Sequence, residues 1–189
     1  MIRQDITGIV LAGGQSRRMG QDKALMEFHG KPLIQHAVTI LQHVCSRVII
    51  SSNKQDYLFT GCEIWPDELA VKAPLSGIYT CLKRSTDDWI AVLSCDMPAI
   101  HPGLFRHLLS CTQNFDVVVP VHDLDRIEPL CCLYNRSAIP LLEQFVERQQ
   151  YSLQQFIRAS RHNLVEIGVA LGFYSNGMFA NLNTAEDMN

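Results

Sequence analysis

The apolar positions of the chain fall into short unbroken runs, separated by stretches in which they recur every three or four residues. The first run, Ile6-Thr7-Gly8-Ile9-Val10-Leu11-Ala12, has the length and β-branched content of a strand buried on both faces. Similar runs from Arg47 to Ser52, Trp89 to Ser94, Asp116 to Val121 and Pro129 to Tyr134 predict the rest of a sheet. Between them, Pro32 to Val44 places Leu33, Ala37, Ile40, Leu41 and Val44 on one face of a helix, with Pro32 in its first turn. Leu75 to Leu82, Pro102 to Leu109, Ser137 to Val146 and Ser152 to about Ala159 predict further helices, Ser137 and Ser152 serving as caps. Alternating strands and helices imply βαβ crossovers. The expected fold is α/β: a single three-layer domain over residues 1–189, its mostly parallel, twisted sheet covered by helices on both faces. Ligands of such sheets bind beyond the carboxyl ends of the strands, so the residues after each strand carry the functional question.

Composition narrows the classes. At 189 residues and 47% hydrophobic content the chain can bury one sizeable core. A net charge of −3 offers no overall attraction to a polyanion, so no nucleic-acid partner is expected. The seven cysteines are odd in number, form no C-x-x-C pair and mostly sit in apolar runs, as reduced, packed thiols do. Arg3 followed by Asp5 is a poor start to a signal peptide, and no apolar run approaches the ~18 residues of a membrane span. A cytoplasmic protein without a membrane partner is expected. The histidines lack ligand spacing such as H-x-x-x-H, so a zinc site has no support.

Candidate chemistry begins after the first run, in Leu11-Ala12-Gly13-Gly14-Gln15-Ser16-Arg17-Arg18-Met19-Gly20-Gln21-Asp22-Lys23. Glycines let backbone approach a ligand, successive amides can form an anion-binding concavity, and Arg17, Arg18 and Lys23 add positive charge. The spacing fits neither a Walker A loop nor G-x-G-x-x-G, and by composition alone the stretch reads equally as a solvated basic turn. Asp96 follows the run Trp89 to Ser94. Its carboxylate at the sheet edge reads either as a hard oxygen ligand for Mg²⁺ on phosphate or as a turn aspartate capping the next helix. Asn181 and Asn183 alternate, so on an extended strand they face the same way. Thr184, with Asp187 at the capping-box position, reads as the N-cap of a final helix. No Ser-His or Cys-His arrangement supplies a protein nucleophile.

The thirteen residues from Leu11 to Lys23 closely resemble the signature L-A-G-G-x-S-x-R-M-G-x-D-K of the molybdenum cofactor guanylyltransferases, within the α/β nucleotidyltransferase superfamily. Further resemblances follow in order: Gly30-Lys31-Pro32-Leu33 to G-K-P-L, Pro74-Leu75-Ser76-Gly77-Ile78 to P-L-[AS]-G-[IM], and Cys95-Asp96-Met97-Pro98 to C-D-x-P. Glu128-Pro129-Leu130 resembles E-P-L, and Phe179-Ala180-Asn181-Leu182-Asn183-Thr184 resembles F-x-N-x-N-T. The resemblance implies a Rossmann-like nucleotidyltransferase fold and transfer of GMP from GTP to the phosphate of molybdenum-molybdopterin, with release of pyrophosphate. It implies that the amides of Leu11, Ala12 and Gly13 meet the nucleotide, that Lys23 contacts its phosphates with Arg18 as a further partner, and that Asp96 binds Mg²⁺. Asp67 corresponds to the aspartate used at guanosine, where a carboxylate can accept from the guanine N1 and amine or from ribose hydroxyls. Asn181 and Asn183 would complete the metal site or hold the pterin. Some relatives place a nucleotide-contacting asparagine where this chain has Ser51, with Asn53 two residues on. Transient contact with molybdoenzymes or their chaperones is a further implication. Two alternatives stand beside this reading. A cytidylyltransferase for molybdopterin or another small phosphorylated acceptor would show A-A-G in place of A-G-G, and a catalytically silent nucleotide-sensing module would bind without turnover.

Overall fold

In the computed structural model, described for residues 4–13, 22–123, 126–183 and 187, the apolar runs become strands and the periodic stretches helices. In chain order these are β1 (Gln4–Leu11), β2 (Glu27–Phe28), β3 (Lys31–Pro32), α1 (Leu33–Gln42), β4 (Cys45–Ser51), β5 (Glu63–Trp65), α2 (Pro74–Arg84) and β6 (Trp89–Ser94). There follow α3 (Gly103–Leu109), β7 (Val117–His122), β8 (Arg126–Ile127), β9 (Cys131–Asn135), α4 (Ile139–Glu147), α5 (Leu153–Ala159) and β10 (His162–Glu166). The main sheet has the order β10-β7-β9-β6-β1-β4-β5, with β8 paired to β7. Strand β9 lies antiparallel between β6 and β7, whereas β1 is parallel to β4 and β6, β4 to β5, and β7 to β10.

Strand periodicity divides the apolar side chains between two cores. Ile6 and Val10 of β1, Val48 and Ile50 of β4, and Ala91 and Leu93 of β6 pack with Ile34, Leu41, Leu104 and Phe105 under α1 and α3. Ile9, Ile49, Ile90 and Val92 pack on the other face with Leu75, Ile78, Leu142 and Phe156 of α2, α4 and α5. These are the expected three layers. Gly8 lets α1 come down onto β1, because a Cβ there would lie 3.0 Å from Leu41 Cβ.

Several local expectations shift. Pro32 stands just before α1, in a two-strand hairpin whose turn needs positive φ at His29 (48°) and Gly30 (75°), which explains the glycine of G-K-P-L. Ser152 caps α5, accepting from the Gln155 amide, but Ser137 does not cap α4. Asn135 instead accepts from the Ser137 amide to start a 3-10 turn, and the Ser137 hydroxyl donates to Asp116. Strands β5 and β10 carry too few apolar residues to stand out in the sequence, since each lies at a sheet edge. Asp187 accepts from the Asn183 amide, while Thr184 is outside the described residues.

Candidate functional site

The carboxyl edge of the parallel strands is level: Leu11 pairs with Ser51 on one side and Ser94 on the other, and Ser51 pairs with Trp65. The chain leaves the sheet at one height in four places, and the candidate residues follow immediately.

Asp22 caps the 3-10 turn Lys23–Leu25, its Oδ1 accepting from the Ala24 amide at 3.1 Å. Its Oδ2 accepts from Lys54 Nζ at 2.6 Å and from the Tyr57 hydroxyl at 2.7 Å. Burial works to raise the Asp22 pKa, but these hydrogen bonds outweigh it and hold the carboxyl below its ordinary range. The Tyr57 ring is fully buried, and its hydroxyl also lies 3.4 Å from the Ala12 carbonyl. One phenol thus stands between the end of β1 and the turn that presents Lys23.

Lys23 Nζ donates to Asp96 Oδ2 and to Asn183 Oδ1, each at 2.8 Å. The Leu182 amide donates to the Asp96 carbonyl at 2.9 Å, so the C-terminal segment is laid across the end of β6. Asp96 Oδ1 is buried and, among the described residues, accepts no hydrogen bond. An uncompensated buried carboxylate oxygen is costly, and a hard cation is a ligand that would satisfy it. The donor set fits Mg²⁺: Asp96 Oδ1 and the amide oxygen of Asn183 are hard oxygens. No group of three or more His, Cys, Asp or Glu gathers among the described residues, so phosphate and water oxygens would complete the shell. Cys95, next to Asp96, is pushed up to about 12 by burial and stays a neutral thiol. All seven cysteines are free, as expected.

A second carboxylate lies after β5. Ser51 Oγ donates to Asp67 Oδ1 at 3.1 Å, and Asn53 Oδ1 accepts from the Asp67 amide at 3.0 Å. The two polar residues after β4 therefore both converge on Asp67. Burial raises the Asp67 pKa, opposed by the Ser51 hydrogen bond. Helix α2 closes over this group at Gly77, where a Cβ would fall 2.5 Å from Ser51 Oγ and 3.3 Å from Asp67 Oδ1. The glycine of P-L-S-G is required by that approach. Asp67 and Asp96 end strands that are three positions apart, a separation of about 14 Å at ordinary strand spacing.

Fold and registration thus bring both Asp96 and Asn183 onto Lys23 and set Asp67 apart on the same edge. Asn181 is half-buried beside them, its carbonyl 3.4 Å from Asn183 Nδ2, in an irregular segment and not on a strand. Arg18 lies outside the described residues. Of the three amides expected to face a nucleotide, Leu11 ends β1 and Ala12 donates to the Ser51 carbonyl at 3.1 Å, extending the sheet. The Gly13 amide is exposed, with no acceptor among the described residues. Tyr57, Lys54 and the capping role of Asp22 were not visible as site features in the sequence, because Tyr57 belongs to no periodic stretch and its partners are distant in the chain.

A mostly parallel sheet with helices on both faces, carrying Lys23 and a half-paired Asp96 carboxylate at its carboxyl edge, is the architecture of an α/β nucleotidyltransferase. Residues 8–164 match the family described as MobA-like NTP transferase domain. A protein of Pelotomaculum thermopropionicum named "Probable molybdenum cofactor guanylyltransferase" is 34% identical, the match covering 96% of this chain and 89% of that one. The "Molybdenum cofactor guanylyltransferase" of Vibrio parahaemolyticus is 30% identical over 95% of this chain and 91% of its own. In three dimensions the chain superposes on molybdopterin-guanine dinucleotide biosynthesis protein A of Archaeoglobus fulgidus with a TM-score of 0.81, at 22% identity and covering 97% and 95% of the two chains. The chain belongs to the MobA-like NTP transferase family.

Proposed function

We propose that this protein transfers GMP from GTP to the phosphate of molybdenum-molybdopterin, forming the guanine dinucleotide cofactor and releasing pyrophosphate. The observation that carries the reading is the Lys23–Asp96–Asn183 cluster with its unsatisfied, buried Asp96 oxygen, supported by relatives named for this activity.

The acceptor's own phosphate oxygen attacks the α-phosphorus of GTP, and the bond from that phosphorus to the bridging oxygen of the pyrophosphate breaks. The protein supplies positioning and charge and needs no nucleophile of its own. The Gly13 amide and the Lys23 ammonium are donors for the nucleotide phosphates, and Arg18 is proposed as a further one. Asp67 accepts from the guanine edge or the ribose at the far end of the nucleotide. On the guanine reading it favours GTP, since guanine offers two donors where adenine offers an acceptor. Asp96 would hold Mg²⁺, which would supply neutralisation of the charge that builds on the α-phosphate and departing pyrophosphate. Asn181 and Asn183 hold the pterin side of the acceptor. Among the described residues no helix is long and apolar enough to cross a membrane. All seven thiols are free, five of them buried, in keeping with the proposed cytoplasmic work on small molecules; transient contact with molybdoenzymes or their chaperones is part of the same proposal.

Purified protein incubated with each nucleoside triphosphate, Mg²⁺ and molybdopterin, followed by mass analysis of the product, tests the proposal. Guanine dinucleotide is the expected product. A cytidine dinucleotide alone, or binding without turnover, overturns it.

A further inference from the structure

The E-P-L glutamate has no part in the chemistry above, yet it is buried at the same sheet edge. His122 ends β7 with its side chain 4% exposed. Both ring nitrogens meet carboxylate oxygens at 2.9 Å, Nε2 at Glu128 Oε1 and Nδ1 at Asp123 Oδ2, so the imidazole plane is held against rotation. Arg126 Nε lies 3.5 Å from the same Glu128 oxygen. Against this fixed ring the Phe179 side chain stacks, centroids 4.2 Å apart and planes 10° from parallel.

Phe179 opens the F-x-N-x-N segment. From residue 167 to 183 the chain forms no helix or strand, so no regular backbone ladder determines where Asn181 and Asn183 stand. Upstream, Phe173 stacks on His101 and Met178 is buried in the core; next to the asparagines the segment is pinned at Phe179, by the stack on His122, and at Leu182, whose amide donates to the Asp96 carbonyl. Asn183 follows directly and reaches Lys23.

We propose that the buried His122–Glu128 pair is a positioning unit: it orients the imidazole that receives Phe179 and thereby delivers Asn181 and Asn183 to Lys23 and Asp96. The inference rests on the proposed function for its consequence in catalysis, and on the stacking geometry alone for its structural part.

The test compares the unaltered chain with His122→Ala, Phe179→Leu and Phe179→Tyr. Phe179→Leu leaves the His122–Glu128 pair in place and keeps the test alive if His122→Ala fails to fold; Phe179→Tyr keeps the stack. An aromatic stack is worth enough to change a local opening equilibrium about three- to tenfold. By NMR hydrogen exchange, the Leu182 amide in His122→Ala and Phe179→Leu is expected to exchange about three- to tenfold faster, with β6 amides unchanged. With molybdopterin as acceptor, kcat should fall by a similar factor while KM for GTP holds within about twofold. Phe179→Tyr should restore both readouts. Unchanged exchange at Leu182, acceleration shared equally by β6, or failure of Phe179→Tyr to rescue overturns the positioning role. If the unaltered chain transfers no guanylyl group, the proposed function fails, and the exchange comparison alone decides the positioning role.

Discussion

Asp96 and Asp116 sit at opposite edges of one sheet, each beside a cation, and they are built differently. At the amino end of β7, Asp116 Oδ1 accepts from Arg161 Nη2 at 2.6 Å and from the Ser137 hydroxyl, while Oδ2 accepts from Arg161 Nε at 2.9 Å. Its amide and carbonyl are bonded as well, to the Arg161 carbonyl and the Asn135 amide. The Arg161 hydrogen bond, helped by Ser137, holds the Asp116 carboxyl below its usual range against the effect of burial. Asp96, at the carboxyl end of β6, spends one oxygen on Lys23 and leaves the other buried without a partner among the described residues. A saturated carboxylate joins elements of the fold; an unsaturated one keeps an oxygen that the proposed Mg²⁺ would satisfy. Two aspartates at ends of strands are alike in sequence, and only the partners tell them apart.

The largest effect should come from Asp96→Asn, which keeps size and hydrogen-bonding reach while removing the charge. Guanylyl transfer is expected to fall by about a thousandfold, roughly 4 kcal/mol in the barrier, with the melting temperature nearly unchanged. A wild-type single-turnover rate at saturating Mg²⁺ would erase the contrast with Asp116. Lys23→Ala comes next: loss of a charge-assisted phosphate contact of about 1.5–3 kcal/mol should lower kcat/KM for GTP about 13- to 160-fold. Unchanged kinetics would remove Lys23 from the site.

Asp116→Asn should do the reverse, costing about 2 kcal/mol of stability, hence about 6 °C in Tm, with kcat at 25 °C retained. Because the folded pKa of Asp116 is depressed, its contribution is present above the ordinary value of 3.8 and is lost as pH falls through the folded value. The melting-temperature gap between variant and wild type should therefore close on acidification below 3.8; a gap that persists there means the loss is not electrostatic.

The smallest effect is expected at Asp67, whose folded pKa is raised by burial. Ionised Asp67 opposes folding at neutral pH, and the penalty disappears below 3.8, where the group is protonated in folded and unfolded chains alike. Asp67→Asn should raise Tm slightly at pH 7, with the gain vanishing on acidification, while the preference for GTP over ATP shrinks. Equal loss for both nucleotides would assign Asp67 to the ribose.

Much of this molecule was legible along the chain. Unbroken apolar runs can be satisfied only between two helical layers, so β1, β6 and β7 and the α/β class followed from local pattern. Gly13 and Asp96, which leave β1 and β6, were candidates on that ground and on motif resemblance, and Asp67 on resemblance alone. What periodicity does not encode is which distant partners converge. Ser51 and Asn53 gained a meaning only when β5 lay beside β4 and set Asp67 between them, and Ser137 turned from cap to Asp116 donor because β9 returns antiparallel toward the start of β7. Asn183 meets Lys23 across the ends of strands, at a separation of 160 residues. Hydrogen-bond partners are decided by proximity in space, and proximity between such distant residues is created by the sheet order. Local pattern specified the strands and the groups they carry; the tertiary structure decided which carboxylate is saturated and which keeps a buried oxygen without a partner among the described residues.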